Sequence, residues 1–300
     1  MAERIDYVVP YVTPRDPAWL ALFREHFGRD YSEVRTVRFD ENLLFRYAFR
    51  GLERHMPWIG RVHLVVQSEA QVPRWIDRGA VHVVLHDEFV PRELLPTFNS
   101  CTLECFMHRI PGLSDLFIYG NDDTYAVGDL SPGDFFRGRM PLYSLKYVAY
   151  LKEGETQHMR MCRRMFEAAA GEGGPRLPNG CYCAPRHCQQ PFSKAIMARI
   201  FREHEEEVVG SVTKFRSESN FSQYFFIYAY MVSTGGAFSG SIPSLSLDLN
   251  TAMDEIVRTF GGEERCPYKL VCLNNNVGGN EVALLSAFDR MFPEKSRYEA

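Results

Sequence analysis

Residues 94–123 read LLPTFNSCTLECFMHRIPGLSDLFIYGNDD, and the succession of loop, helix, buried strand and acidic tip within them decides the fold. Leu103, Phe106, Met107 and Ile110 recur at helical spacing and predict one apolar stripe. Asn99 or Ser100 is placed to cap the start, and Pro111-Gly112 ends the run. Cys101, Glu104, Cys105 and His108 fall on the opposite face of the same helix. Leu116-Phe117-Ile118-Tyr119 is a short continuous apolar run suited to a central strand. It stops at Gly120 and delivers Asn121-Asp122-Asp123. Ligands of open α/β sheets sit outside the carboxyl ends of the strands, so the paired carboxylates are candidate ligands for Mg²⁺ or Mn²⁺ bridging to a phosphate. A plain solvated turn is the competing reading, because Asp and Asn also favour turns through side-chain bonds to the backbone.

Outward towards the amino terminus, residues 5–12 are β-branched and aromatic and predict a first strand. Asp16-Pro17 supplies a cap and a first-turn proline for a helix over 18–27, closed by Gly28. Residues 29–41 read as a loop. A second helix is expected over 42–56, with Arg46, Arg50 and Arg54 on one face. That face is either a solvated surface or, beside the acidic tip, a holder for diphosphate charge. Strands follow at 61–66 and 81–85, with a short helical turn at 72–76 between them. The alternation predicts an α/β fold, Rossmann-like, with a mostly parallel sheet flanked by helices.

Outward towards the carboxyl terminus the pattern weakens. A strand is possible over 142–150, and residues 151–192 read as an irregular insertion with Cys181, Cys183 and Cys188 around His187. A zinc site there is weakened by spacing that does not match paired Cys-x-x-Cys sites. Helices are expected over 193–209, 220–233 (strongly aromatic, hence buried) and 281–292, with a strand over 268–273; residues 237–265 are ambiguous. We read residues 1–300 as a single catalytic domain: an α/β core over 1–150, the insertion, and a helical part over 193–300 whose final strand completes the site.

Composition narrows the function. Of 300 residues, 45% are hydrophobic and 24% charged, and the net charge of −4 offers no basic field for nucleic acid. No apolar run is long enough for a membrane span, and the amino terminus lacks a secretory core and cleavage site. A cytoplasmic chain is expected, its eight cysteines thiols rather than disulfides.

These residues together resemble the Stealth proteins, sugar-1-phosphate transferases that build phosphate-linked capsules and include the animal N-acetylglucosamine-1-phosphotransferase. A first block resembles Ile5-Asp6-Tyr7-Val8-Val9-Pro10-Tyr11-Val12 with Asp16-Pro17. A second, the longest, takes in Asn42, Phe45-Arg46-Tyr47, Arg50, Pro57-Trp58, Trp75, His86, residues 95–100, Glu104, His108-Arg109-Ile110 and Asn121-Asp122-Asp123. A third resembles His187, Pro191, Lys194, Phe215-Arg216 and Asn220; a fourth resembles Cys272-Leu273-Asn274-Asn275, and residues 292–296 with Glu299 match the ending. Departures stand at Tyr11, Thr13, Glu41, Leu44 and Asn275, where the family has Trp, Asp, Asp, Glu and Asp.

The resemblance implies a glycosyltransferase-A-like nucleotide-sugar fold, a UDP-sugar donor, a glycan or glycolipid acceptor, and release of UMP as a phosphodiester forms. Peripheral association with capsule machinery is compatible with it. Such a step needs charge neutralisation, positioning and a base. Asp122 and Asp123 are expected to hold Mg²⁺ (or Mn²⁺), helped by Asn121, Asn274 and Asn275, with Asn275 in place of Asp loosening the site. Arg216, Lys194 and Arg46 are expected to clamp phosphate, and His187 to act as base, with His108, oriented by Glu104, as second choice. Asp6, Asn42, Asn99, Ser100, Glu104 and Asn220 are expected to meet the donor. The alternatives are a metal-dependent glycosyltransferase releasing UDP, and a UDP-sugar-binding protein with a decayed site.

Overall fold

The structure, a computed structural model, describes residues 3–34, 42–149, 156–171, 181–236, 240–248, 260, 266–274 and 280–300. Its centre is a sheet of β1 (Ile5–Pro10), β2 (Ile59–Val66), β3 (Val81–Leu85), β4 (Leu116–Tyr119) and β10 (Gln190–Ser193), in the order β10-β4-β1-β2-β3. β1 pairs in parallel with β2 and with β4, and β2 with β3; β10 runs antiparallel to β4. The fold is thus α/β with a mostly parallel sheet, as the strand and helix alternation predicts. Strand order reverses between β1 and β4, the switch point at whose carboxyl side open sheets bind ligands. The acidic tip leaves β4 there.

Strand alternation sends neighbouring residues into two cores. Tyr7, Val9, Leu64 and Ile118 pack under α3 (Phe45–His55) and α10 (Asn280–Met291). Val8, Val65, Phe117 and Tyr119 pack under α4 (Ser100–Phe106), α6 (Gln157–Ala170), α7 (Lys194–Glu203) and α9 (Gln223–Ser233). The first core continues through Tyr125, Leu270 and Leu273 into a second sheet, β11-β12-β5, formed by β5 (Thr124–Ala126), β11 (Ser244–Asp248) and β12 (Leu270–Asn274). The tip therefore joins two sheets. A third cluster of Trp19, Phe23, Tyr31 and Phe98 fixes α1 (Pro17–Phe27) against the loop before α4, with Phe215 stacked on Phe98 at 5.0 Å.

Several local signals hold. Asp16 Oδ1 accepts from Ala18 N at 2.9 Å, and Gly28 closes α1 with φ of +76°. Asn99 Oδ1 caps α4 by accepting from Cys101 N. The aromatic run of α9 is core, as expected of it.

Other expectations are corrected. The helix after Asn99 has no polar face: Cys101, Glu104, Cys105 and His108 are buried along with the apolar stripe, because α7 and α9 cover it. It ends at Phe106 in a tight turn, Met107–Arg109. Within residues 151–192, expected to be irregular, the structure places α6, β9 (Cys181–Pro185, paired with β8, Leu145–Ala149) and β10, which is an edge of the main sheet. The helix expected over 193–209 breaks at His204, where α8 (Glu205–Ser211) starts. On the basic face of α3, Arg50 and Arg54 are engaged within the fold while Arg46 is exposed. Arg50 grips Glu299 through two bonds of 2.7 and 2.9 Å, Arg54 donates to Met291 O, and Arg46 lies over the Trp75 ring.

Asp6, expected to meet the donor, sits at the opposite end of β1 from the tip. Its carboxylate is fully buried and accepts from Arg61 N, Ser114 N and His63 Nε2, with the Arg4 guanidinium at 3.0 Å. Burial pushes its pKa up, but the bonds from His63, Arg61 and Ser114 outweigh that and bring it down to about 2. A depressed carboxyl pKa gives stability that is present above the ordinary value near 3.8 and is lost as pH falls through about 2. At 1.36 kcal/mol per unit the contribution at neutral pH is about 2 kcal/mol. Urea melts of wild type and Asp6→Asn across pH 2–7 should show the variant less stable by about that amount at pH 7, the gap closing on the acid side. A gap independent of pH would refute the carboxylate's role.

Candidate functional site at the β4 tip

The tip is held by its backbone. Gly120 N donates to Val8 O, and a Cβ at Gly120 would stand 1.9 Å from the Tyr7 hydroxyl, so only glycine lets the chain leave β4 here. Thr124 N and Oγ1 both donate to Asn121 O. Asn42 Nδ2 donates to Asp122 O at 2.6 Å, and Leu273 N donates to Asp123 O at 2.9 Å. With their carbonyls tied down, the two aspartates keep fixed positions.

Both carboxyl pKa values are raised, by burial first and, for Asp122, by repulsion from Asp123. The Cys272 thiol from β12 hydrogen-bonds the Asp123 carboxylate, yet Asp123 Oδ1 is buried without a partner. An orphaned buried oxygen beside a second desolvated carboxylate is an arrangement that a cation would relieve. Asn274 follows Cys272 by two residues on β12, so both point to one face of that strand, and its Nδ2 lies 3.4 Å from Ser246 Oγ. Asn275 lies outside the described residues, as does Glu41.

His187 enters from the loop between β9 and β10. Its Nε2 is 3.0 Å from Asn121 Nδ2, which donates to it, so Nδ1 carries the ring proton. Burial, then the charges of Arg216 and Lys146, lower its pKa to about 4, so the imidazole is neutral at physiological pH. The ligating atoms of Asp123, His187 and Cys272 all lie within 4.8 Å of one another, and no other group of three such residues forms among those described. Of the residues in the zinc reading, Cys188 Sγ turns to Arg186 O while His187 turns to the tip, so these two do not converge. The side chains of Cys181 and Cys183 lie outside those described.

A second group lies beside the first. Asn99 Nδ2 donates to Asn220 Oδ1 at 2.9 Å and to Thr213 O, while Asn220 Nδ2 donates to Ser211 O and Thr213 Oγ1. These buried amides fix the 211–220 loop against the start of α4. The loop presents Arg216, which is exposed and donates to Ser100 Oγ at 2.5 Å. Its charge acts on both His187 and Glu104. Asn99, Asn220 and Glu104 thus support the site; Glu104 accepts from Tyr119 Oη and Gln223 N, and burial raises its pKa.

Besides Asp6, two more predicted residues fall elsewhere. Lys194 follows β10, which is antiparallel, so it lies at the amino end of β4, where Lys194 N donates to Asp115 O and Nζ to Ile110 O. His108 is near it, its ring 4.9 Å from Phe201 and its pKa lowered to about 4, chiefly by burial. The Glu104 to His108 pairing is not formed, because both Glu104 oxygens are taken. Two residues were missed. Cys272 shares a strand face with Asn274, a signal that alternation carries. Lys146, exposed on β8 and acting on His187, has no such signal.

Residues 38–141 match the family model described as Stealth protein CR2, conserved region 2. This chain carries the Stealth CR2 region. The region holds Asn42, Asn99, Ser100, Glu104 and the whole tip. Along its full length the chain is similar to the capsular polysaccharide phosphotransferase WcwK of Streptococcus pneumoniae, 27% identical with 99% of each chain covered. It is likewise similar to the receptor polysaccharide phosphotransferase WefC of Streptococcus gordonii, 27% identical with 100% of each covered. The exopolysaccharide phosphotransferase cps2G of Lactiplantibacillus plantarum is 37% identical over 52% of this chain and 46% of its own. His187, Arg216 and Cys272 lie beyond the CR2 match but within the span of the full-length similarity. No helix among the described residues is long and apolar enough to cross a membrane.

Proposed function

We propose that this Stealth chain transfers sugar-1-phosphate from a UDP-sugar to a hydroxyl of a glycan or glycolipid acceptor in surface polysaccharide synthesis, releasing UMP. The observation that carries the reading is the meeting of a neutral imidazole, a paired-carboxylate tip and an exposed arginine at the sheet's switch point. The full-length similarity to polysaccharide phosphotransferases supports it.

Asp122 and Asp123, with Asn274 alongside, offer the hard oxygens for Mg²⁺ or Mn²⁺, which when bound neutralises diphosphate charge. Arg216 gives a fork that matches phosphate oxygens, and Lys146 adds a point charge that also acts on His187. The acceptor hydroxyl displaces the Asn121 amide from His187 Nε2 and gives its proton to that nitrogen as its oxygen attacks the sugar-bearing phosphorus. The phosphorus to UMP oxygen bond breaks and the anomeric bond is untouched. A bound diphosphate offsets Arg216 and Lys146, so His187 becomes more basic when the donor is present. A cytoplasmic location, with peripheral attachment to capsule machinery, suits an enzyme fed by UDP-sugars.

The test is the uridine product. Purified protein with Mg²⁺, a panel of UDP-sugars and a short glycan acceptor should release UMP in an acceptor-dependent way. UDP in its place would move the chain to the glycosyltransferases; binding of a UDP-sugar with neither product would make it a decayed binder.

A further inference from the structure

The tip has a second chemical character that the phosphotransferase reading does not use. Hard oxygens suit Mg²⁺, but an imidazole nitrogen and a thiol sulfur lie within 4.8 Å of an Asp123 carboxylate oxygen. These come from three separate elements: the β4 tip, the loop before β10 and the middle of β12. Cys272 is fully buried in β12, where the ladder to β5 fixes it level with Thr124. His187 is set by Asn121, and Asp123 by Leu273 N. One oxygen, one nitrogen and one sulfur atom gathered within 4.8 Å are donor types that zinc sites use. Sulfur and imidazole favour Zn²⁺ and Co²⁺ over Mg²⁺, and softness of the donors rather than charge sets that order.

We propose that Asp123, His187 and Cys272 form a site for a borderline-soft divalent metal, Zn²⁺ or Co²⁺, that competes with the Mg²⁺-supported reaction. The Cys272 thiol gives up its proton to solvent as its sulfur binds the metal, and the thiol's present bond to Asp123 is exchanged for two bonds to one ion. His187 Nε2 exchanges its bond from the Asn121 amide for one to the metal and is lost as a base, so Zn²⁺ acts as an inhibitor of the turnover. This regulation rests on the role given to His187 above; the metal site itself does not.

Cobalt reports the sulfur ligand directly. Titrating Co²⁺ into the full chain should produce a thiolate-to-cobalt charge-transfer band in the near ultraviolet, which Zn²⁺ abolishes and a large excess of Mg²⁺ does not. Cys272→Ser, close in size and checked for folding by circular dichroism, should lose the band and bind Zn²⁺ at least ~100-fold more weakly, since even an outer partner of a ligand is worth about 10–100-fold. Cobalt binding without the band, no cobalt binding, or an unchanged Cys272→Ser would overturn the site, and the wild-type spectrum decides this even if the variant misfolds. A UDP product in the uridine assay would fail the phosphotransferase reading and leave the band intact, so the two failures are separable.

Discussion

His187→Ala is expected to lower turnover by about 10²–10⁴-fold, the range of a positioned general base, while donor affinity changes little. The expectation rests on position. His187 reaches the tip through Asn121, and its lowered pKa keeps it unprotonated well below neutrality. Among the described residues, the charges that act on it are those of the cations Arg216 and Lys146. A base under the charge of two cations is weak until an anion arrives, and a UDP-sugar is that anion. The pH dependence of turnover should therefore move between free and donor-bound enzyme. The acid limb seen at saturating donor should lie above the imidazole's free value of about 4. Single-turnover rates and donor binding would be measured for wild type, His187→Ala and His187→Gln. Loss of binding with an intact rate of the chemical step would make His187 a donor contact. Full activity in either variant would remove it from the chemistry.

How much of this was legible beforehand follows from the range of each signal. The β4 strand, its glycine stop and the tip are local, and the sequence stretch 94–123 carries them without outside help. Caps at Asp16 and Asn99 were legible for the same reason. What was not legible is the partner on the far side. Cys101, Glu104, Cys105 and His108 look like an exposed polar face, and only the arrival of α7 and α9 buries them. Arg46, Arg50 and Arg54 look like a free basic stripe, yet Arg50 and Arg54 are engaged 237 to 249 residues away. The reversal of β10 was decisive for Lys194 and His187. They lie seven positions apart, and the antiparallel strand between sends one to each end of the sheet. Family likeness brought both to attention; topology places only His187 beside the tip.

The second large effect joins activity to stability with opposite signs. Asp123→Asn is expected to lower turnover on the order of 10³-fold, the upper end of what one preorganised electrostatic group contributes. The same change should make the metal-free protein more stable by about 1–3 kcal/mol at neutral pH, the scale of one buried group's desolvation. The sign follows from the pair. Burial raises both carboxyl pKa values, and each charge opposes the other. A carboxyl raised above its unfolded value gives stability that is full below the ordinary carboxylate range and is lost as pH rises through the folded value. Wild type without metal should thus weaken from acid towards neutral pH. Asp123→Asn removes one charge, keeps the shape, and should flatten that fall. The Leu273 N to Asp123 O bond is to the backbone and survives the change. Added Mg²⁺ should reverse the ranking, stabilising wild type by mass action and the variant little. Thermal melts across pH, with and without Mg²⁺, read all three effects. A variant that is less stable than wild type without metal, and still active, would mean that Asp123 is only a turn residue. The trade of stability for a site that holds unshielded charge is the one that functional centres commonly make, and at this tip a single amide substitution measures both sides of it.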